Sequence, residues 1–176
     1  MKDDGDKKVE TEKDSDDEDD KNAKPIPAFD QHRKEDPINQ LVYAALKGCK
    51  IIVKTLLKKG VNINYFATSK SPDIADHTPL HAAAAGEHEH IARLLINNRA
   101  NPRQSSRRLD TALHVACENS QTNIVRLLLD ANKTDINNCY NDERKKPLMC
   151  ACLCGNLDII KALLDAKANV DAQALG

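Results

Sequence analysis

The sequence predicts an all-α solenoid of four stacked helix-turn-helix units behind a disordered acidic tail. Three observations carry that prediction. First, four segments (Asn39 to Leu57, Thr78 to Ile96, Thr111 to Leu129, Lys146 to Leu164) align, with starts 39, 33 and 35 residues apart. Second, their apolar positions coincide. Leu41, Leu80, Leu113 and Leu148 share a column, as do Ala44, Ala83, Ala116 and Ala151. Ile52, Ile91, Ile124 and Ile159 form a third column, and Leu56, Leu95, Leu128 and Leu163 a fourth. Third, each segment reads as two helices so short that neither is stable alone in water. Such units bury an apolar face only by stacking on one another.

Taken in order, the chain begins with a segment that cannot fold. Residues 1–22 hold eleven Asp or Glu against five Lys, a net charge of −6; the other 154 residues carry 16 acids and 21 bases, a net of +5. After Met1, Val9 is the one sizeable apolar residue of this stretch. Too little apolar surface is available to offset chain entropy, so residues 1–36 are expected to be a disordered acidic tail and linker. The folded region is then 37–176, with units at about 37–65, 73–104, 106–140 and 141–171.

The second unit shows the local logic most clearly. Thr78 is an N-cap residue, and Pro79 sits at the first helical position, where its missing N–H costs nothing. A helix over Pro79–Ala85 places Leu80, Ala83 and Ala84 on one face, and Gly86 and Glu87 break it. A second helix follows with Ile91, Leu94 and Leu95 as its stripe. Alanine at the packing columns lets neighbouring units approach closely. The first and fourth units depart from this pattern: Asn39-Gln40-Leu41-Val42 and Lys146-Pro147-Leu148-Met149 lack the Thr and the His. Terminal units of a stack are often atypical. The first has a polar exterior in Gln40, Lys47, Lys50 and Lys54. The fourth does not look finished, because Asn169-Val170-Asp171-Ala172-Gln173 reads as the start of another hairpin. A truncated end, or an edge that needs a partner, is expected there.

The residues that carry a family resemblance are now in view. Thr78-Pro79-Leu80-His81-Ala82-Ala83-Ala84 and Thr111-Ala112-Leu113-His114-Val115-Ala116-Cys117 resemble the Thr-Pro-Leu-His-x-Ala-Ala signature of ankyrin repeats. Ile91-Ala92-Arg93-Leu94-Leu95 and Ile124-Val125-Arg126-Leu127-Leu128 resemble the outer helix of that family. The likeness covers about residues 37–171. It implies an ankyrin-repeat solenoid in which His81 and His114 hydrogen-bond backbone and the neighbouring Thr near the turn. The family usually places Gly after the outer helix, where this chain has Gly60, Arg99, Asn132 and Lys167. Arg99 and Lys167 should each cost about 1 kcal/mol relative to Gly if the left-handed geometry holds.

The resemblance also implies protein binding through hairpin tips and the exposed face of the inner helices, which together line a concave groove. Mapped onto this chain, the partner-binding candidates are Ile74 and His77; Arg107, Arg108, Asp110, Glu118 and Asn119; and Lys145 and Leu153. Tyr65, Phe66 and Tyr140 join them, because three of the five aromatics fall in hairpin loops and aromatics often anchor interfaces. The alternative for Tyr65 and Phe66 is that they tuck over the edge of the core. Ankyrin repeats can also be hydroxylated on hairpin asparagines, and Asn64 and Asn137 occupy about the right column.

Chemistry of other kinds finds little support. No Gly-rich phosphate loop, Gly-x-Ser-x-Gly elbow or His-Glu-x-x-His motif occurs. No catalytic residue, cofactor or metal is assigned, and the chain is expected not to be an enzyme. His88 and His90, two apart at a helix start, point to different sides and read as a solvated helix end. Cys150, Cys152 and Cys154 lie on a predicted inner helix, whereas zinc favours Cys pairs on turns. Cys117 and Cys152 fall in a small-residue core column, while Cys150 and Cys154 share a face and are expected to be exposed. A thiol or zinc sensor at Cys139, Cys150 and Cys154 is therefore the weakest alternative.

Basic clusters at Arg103, Arg107, Arg108 and at Arg144, Lys145, Lys146 lack the stacking aromatics of a nucleic-acid site. They read as solvated loop tips, as a surface for an acidic protein partner, or as a landing place for the acidic tail. No stretch approaches the roughly 18 apolar residues needed to span a bilayer, so no membrane insertion is expected. The charged N-terminus argues against a secretory signal and for a cytoplasmic and/or nuclear protein. The expected function is non-catalytic, monomeric protein recognition. The alternative is an N-terminal regulatory ankyrin segment of a larger channel, acyltransferase or kinase.

Overall fold

The computed structural model describes residues 36–68, 71, 74–131 and 136–170. The expected acidic tail therefore lies outside the described residues, apart from Asp36 at its end, and so does Asn132. Eight helices and no strand occur among the described residues, in four consecutive pairs: α1 Pro37–Leu46 with α2 Lys50–Lys58, α3 Pro79–Ala85 with α4 Glu89–Asn97, α5 Ala112–Glu118 with α6 Thr122–Asp130, and α7 Pro147–Cys154 with α8 Leu157–Asp165. Inner helices pack in the order α1, α3, α5, α7, and the outer helices α4, α6 and α8 form a second row.

The aligned columns form the core. Leu41, Leu80, Leu113 and Leu148 are buried, as are Ala44, Ala83, Ala116 and Ala151. Ile91, Ile124, Ile159, Leu56, Leu95, Leu128 and Leu163 complete the interior. Ile52, in the first unit, is half-buried, because no earlier helix pair lies against it among the described residues. Each fully buried aliphatic side chain contributes about 1.5–3 kcal/mol.

The chain reverses by left-handed residues at repeating positions. Gly48, Glu87, Ser120 and Gly155 turn inner helix into outer helix. Gly60, Arg99 and Lys167 follow the outer helices, with φ of 78°, 70° and 66°, as the sequence leads one to expect. A third set, Asp76, Leu109 and Arg144, turns the hairpin tips. Only Gly avoids the steric cost of this region, so the seven non-glycine residues that hold it among the described residues do so under constraint from the packed units around them.

At the first junction, the backbones nearly touch. A Cβ built on Gly86 would lie 2.3 Å from the Leu46 carbonyl oxygen, so only Gly fits there. His88 packs over Gly48, and its Nε2 donates to the same Leu46 carbonyl at 3.1 Å. His88 is thus a half-buried clasp between units one and two, which corrects the expectation of a solvated helix end; His90 is exposed. A histidine at a helix start has no sequence mark that separates a clasp from a solvated end.

Candidate interaction surface

The two signature histidines hold adjacent hairpin tips to the stack. Thr111 N donates to His114 Nδ1 at 3.1 Å, so Nδ1 is an acceptor and Nε2 carries the proton. That Nε2–H donates to the Lys145 carbonyl of the next unit, also at 3.1 Å. His81 is arranged alike, with Nδ1 2.8 Å from Thr78 Oγ1 and Nε2 2.8 Å from the Asp110 carbonyl. Burial, ahead of any charge nearby, pushes both imidazoles down to about 4, so both are neutral near pH 7. These histidines join unit two to three and unit three to four. They are structural links.

Asparagines in the loops add further links. Asn64 Oδ1 accepts from Asn101 N at 2.8 Å, and Asn137 Oδ1 accepts from Asn169 N at 2.8 Å. Asn64 and Asn137, the asparagines that the resemblance offers for hydroxylation, thus serve as hydrogen-bond bridges between successive units.

The tips themselves form a ladder. Arg107 Nε lies 3.0 Å from Asp76 Oδ1, joining the second tip to the third. Asp142 N donates to the Arg108 carbonyl at 3.0 Å, joining the third tip to the fourth. Within tips, Ser106 N donates to the Asp110 carbonyl and Asn141 N to the Lys145 carbonyl. Arg107, Arg108 and Arg144 are exposed along this ladder. Lys145 is half-buried and pairs with Glu143, which raises its pKa.

The predicted surface residues do not all share this face. Tyr65 is 64% exposed, and Glu118, Asn119 and Leu153 are exposed on inner-helix ends. Phe66, His77, Asp110 and Tyr140 are half-buried. Tyr140 carries Lys146 Nζ 5.1 Å above its ring, and His77 stacks on His81 with centroids 6.1 Å apart. Burial, then repulsion from Glu118, raises the Asp110 carboxyl to about 6. Ile74 is a correction: it is only 3% exposed and belongs to the core, because the long second hairpin folds it inward against the stack. One exposed apolar residue of the tips is absent from the candidates drawn from the sequence. Leu109 is 53% exposed at a left-handed tip position between Arg108 and Asp110. The available signal was an apolar residue in a column otherwise filled by Asp76 and Arg144.

The cysteines also differ from expectation. Cys150 is buried, not exposed, and its thiol points to Glu118 Oε1 at 3.6 Å. Burial first, then the Glu118 charge, pushes that thiol up to about 12, so it is a poor nucleophile. Cys152, expected in the core, is exposed, whereas Cys117 in the same column is buried. The difference is positional: Cys117 has a following unit packed against it and Cys152 has none among the described residues. Cys154 is exposed, and its Sγ lies 3.2 Å from the Glu118 carbonyl. Among the described residues no group of three or more His, Cys, Asp or Glu is placed to hold a metal ion.

Paired short helices, left-handed hairpin tips and a Thr–His clasp between successive units define a repeat protein of the ankyrin class. The family profile described as "Ankyrin repeats (3 copies)" matches residues 26–106 and 100–174, and the chain belongs to the ankyrin-repeat family. It is 36% identical over 122 residues to "Alpha-latrocrustotoxin-Lt1a" of Latrodectus tredecimguttatus, covering 69% of this chain and 8% of the toxin. It is 35% identical over 136 residues to "Putative ankyrin repeat protein FPV031" of Fowlpox virus (strain NVSL), covering 76% of this chain and 38% of the viral protein. A third relative is "Ankyrin repeat and KH domain-containing protein CBG24701" of Caenorhabditis briggsae, 32% identical over 133 residues, covering 74% of this chain and 5% of that protein. The chain thus spans well under half the length of each of these relatives. Ankyrin repeats are in general non-catalytic protein-interaction modules. No helix among the described residues is long and apolar enough to cross a membrane.

Proposed function

We propose that this chain is a non-catalytic recognition module, resident in the cytoplasm and/or nucleus, that binds an acidic segment of a protein partner along its hairpin tips. The observation that supports this reading is the exposed run Arg107-Arg108-Leu109 on a tip linked to both neighbours. Two guanidiniums beside an exposed leucine offer bidentate donors for carboxylates next to an apolar contact. The links to neighbouring tips hold the backbone of this run in place before a partner arrives, which lowers the entropy cost of binding. Tyr65 and Leu153 extend the candidate surface toward either end of the stack, and the net +5 of residues 23–176 favours acidic encounter partners.

The test is a quantitative pull-down comparing residues 37–176 with the Arg107→Glu/Arg108→Glu variant. Partners retained by the parent should drop about tenfold or more on charge reversal and with added salt. The melting temperature should move little, because the Arg107–Asp76 pair is exposed and such pairs contribute at most about 1 kcal/mol. Equal retention by the variant removes these tips from the recognition surface.

A further inference from the structure

We infer that the solvent-facing side of α2 is a peripheral docking surface for an anionic phospholipid bilayer, with Ile51 set into the headgroup layer and the lysines around it against lipid phosphates. Residues 37–66 hold Lys47, Lys50, Lys54, Lys58 and Lys59 and no Asp or Glu. Helical periodicity puts Lys50, Lys54 and Lys58 in one row of α2, with Ile51 and Thr55 in the row beside it. Val53 and Leu56 are buried on the other side, while Ile51, Lys54, Thr55, Lys58 and Lys59 are exposed. The later outer helices carry a different charge pattern in the same columns. Opposite Lys50 stand Glu89, Thr122 and Leu157, and opposite Lys58 stand Asn97, Asp130 and Asp165. In α4, Glu89 neutralises Arg93 one turn on, at 2.8 Å. In α2 the same two columns hold Lys50 and Lys54, and like charges one turn apart weaken a helix. Lys50 also stands in the first turn, where the helix dipole disfavours a cation. Helix stability therefore does not explain this row, whereas an anionic surface facing it does.

Three features select a bilayer as that surface. Ile51 is 63% exposed among the lysines, an apolar side chain in a cationic field. Thr55 Oγ1 donates to the Ile51 carbonyl at 2.8 Å, so its hydroxyl is already partnered, and the Ile51–Thr55 row can leave water without orphaning that donor. Lysine stems lie along such a row while their ammonium groups reach outward. A bilayer supplies both layers this pattern needs, phosphates outside and hydrocarbon beneath. A nucleic-acid backbone supplies phosphates without the apolar layer, and α2 has no aromatic side chain to stack on bases. The third feature is the choice of cation. Carboxylates fixed in a protein segment favour the planar fork of Arg, as at Arg107 and Arg108, but every cation of α2 is Lys, a compact charge on a flexible stem that suits fluid headgroups. With nine residues, α2 is too short to span, so the contact is adsorption and not insertion.

Co-sedimentation of the full chain with phosphatidylcholine vesicles containing about 30% phosphatidylserine, beside pure phosphatidylcholine vesicles, tests the inference. The chain should pellet with the anionic vesicles alone, and less so as salt rises from about 0.1 to 0.5 M. Lys54→Glu/Lys58→Glu should weaken vesicle binding at least about 30-fold. Its melting temperature should not fall, because both side chains are exposed. Ile51→Ser, which leaves the charge unaltered, should weaken binding about tenfold. Arg107→Glu/Arg108→Glu should bind vesicles as the parent does, which separates this surface from the hairpin tips. A parent that stays in the supernatant with anionic vesicles overturns the inference, and so does either α2 variant binding as the parent does. Loss of binding in the Arg107→Glu/Arg108→Glu variant would move the contact to the tips and overturn it too. A parent that binds a poly-glutamate peptide or a DNA duplex but not the vesicles would replace the bilayer with an acidic protein or a nucleic acid.

Discussion

At the residue scale the stack holds several side chains in conformations they would not choose. Arg99 and Lys167 occupy left-handed positions at which Gly60 serves in the first unit. Arg99→Gly should stabilise the protein by up to about 1 kcal/mol, because relief of the left-handed cost exceeds the greater freedom of Gly in the unfolded chain. Urea midpoints read this directly, and a lowered midpoint would contradict it. The signature histidines make a second prediction. Both titrate at about 4 in the folded chain, against an ordinary 6.5, so between those values the unfolded chain binds more protons. Stability is therefore full above about pH 6.5 and falls on acidification toward pH 4, by up to about 1.4 kcal/mol per pH unit for each histidine. Asp110 opposes part of this. Its carboxyl is raised to about 6, so the folded chain holds the extra proton between about 4 and 6, and that contribution is lost as pH rises. Half-exposed, it is the weaker effect. Unfolding midpoints at pH 7, 5.5 and 4.5 should fall in that order, and His114→Gln should flatten the decline. An unchanged slope in the variant would remove His114 from the account.

At the element scale the junctions between helix pairs decide what substitutions cost. Gly86 has an ordinary helical-side φ of −85°, so alanine there meets no backbone strain. It meets the Leu46 carbonyl instead, and Gly86→Ala should destabilise by about 1–3 kcal/mol through overcrowding alone. The melting curve checks it, and a variant as stable as the parent would mean that this contact is not tight. The same scale explains what the sequence could and could not reveal. Helix α3 spans the predicted Pro79–Ala85, because Pro79 and Gly86 mark its ends through local chemistry, while the Thr78 side chain makes no cap hydrogen bond and meets His81 Nδ1 instead. The left-handed turns at Arg99 and Lys167 were legible only through the family resemblance, which places Gly in their column. Burial at the ends of the stack was not. Cys152 and Cys117 share a column, and among the described residues only Cys117 has a following unit packed against it. Ile74 shows the limit in loops, where an apolar residue in a long connection has no periodicity to assign it a face.

At the scale of the whole molecule, stability is shared. The interior runs unbroken from Leu41 through Leu80 and Leu113 to Leu148, and the histidine clasps cross unit boundaries. Truncating Leu113, fully buried in the third unit, should cost about 2–5 kcal/mol and lower the unfolding of its neighbours with it. Hydrogen exchange would show this as lost protection in α3 and α7 as well as α5, and loss confined to α5 would contradict the shared core. The proposed recognition surface depends on the same coupling, since the Arg107 tip is held by Asp76 on one side and through the Arg108 carbonyl by Asp142 on the other. The most direct measurement of that dependence is far-ultraviolet circular dichroism of the isolated second unit, residues 73–104, beside residues 37–176 in the same buffer. A coil spectrum for the single unit and a helical spectrum for the stack are predicted. A single unit that is helical by itself would contradict the claim that these helix pairs become ordered only against one another.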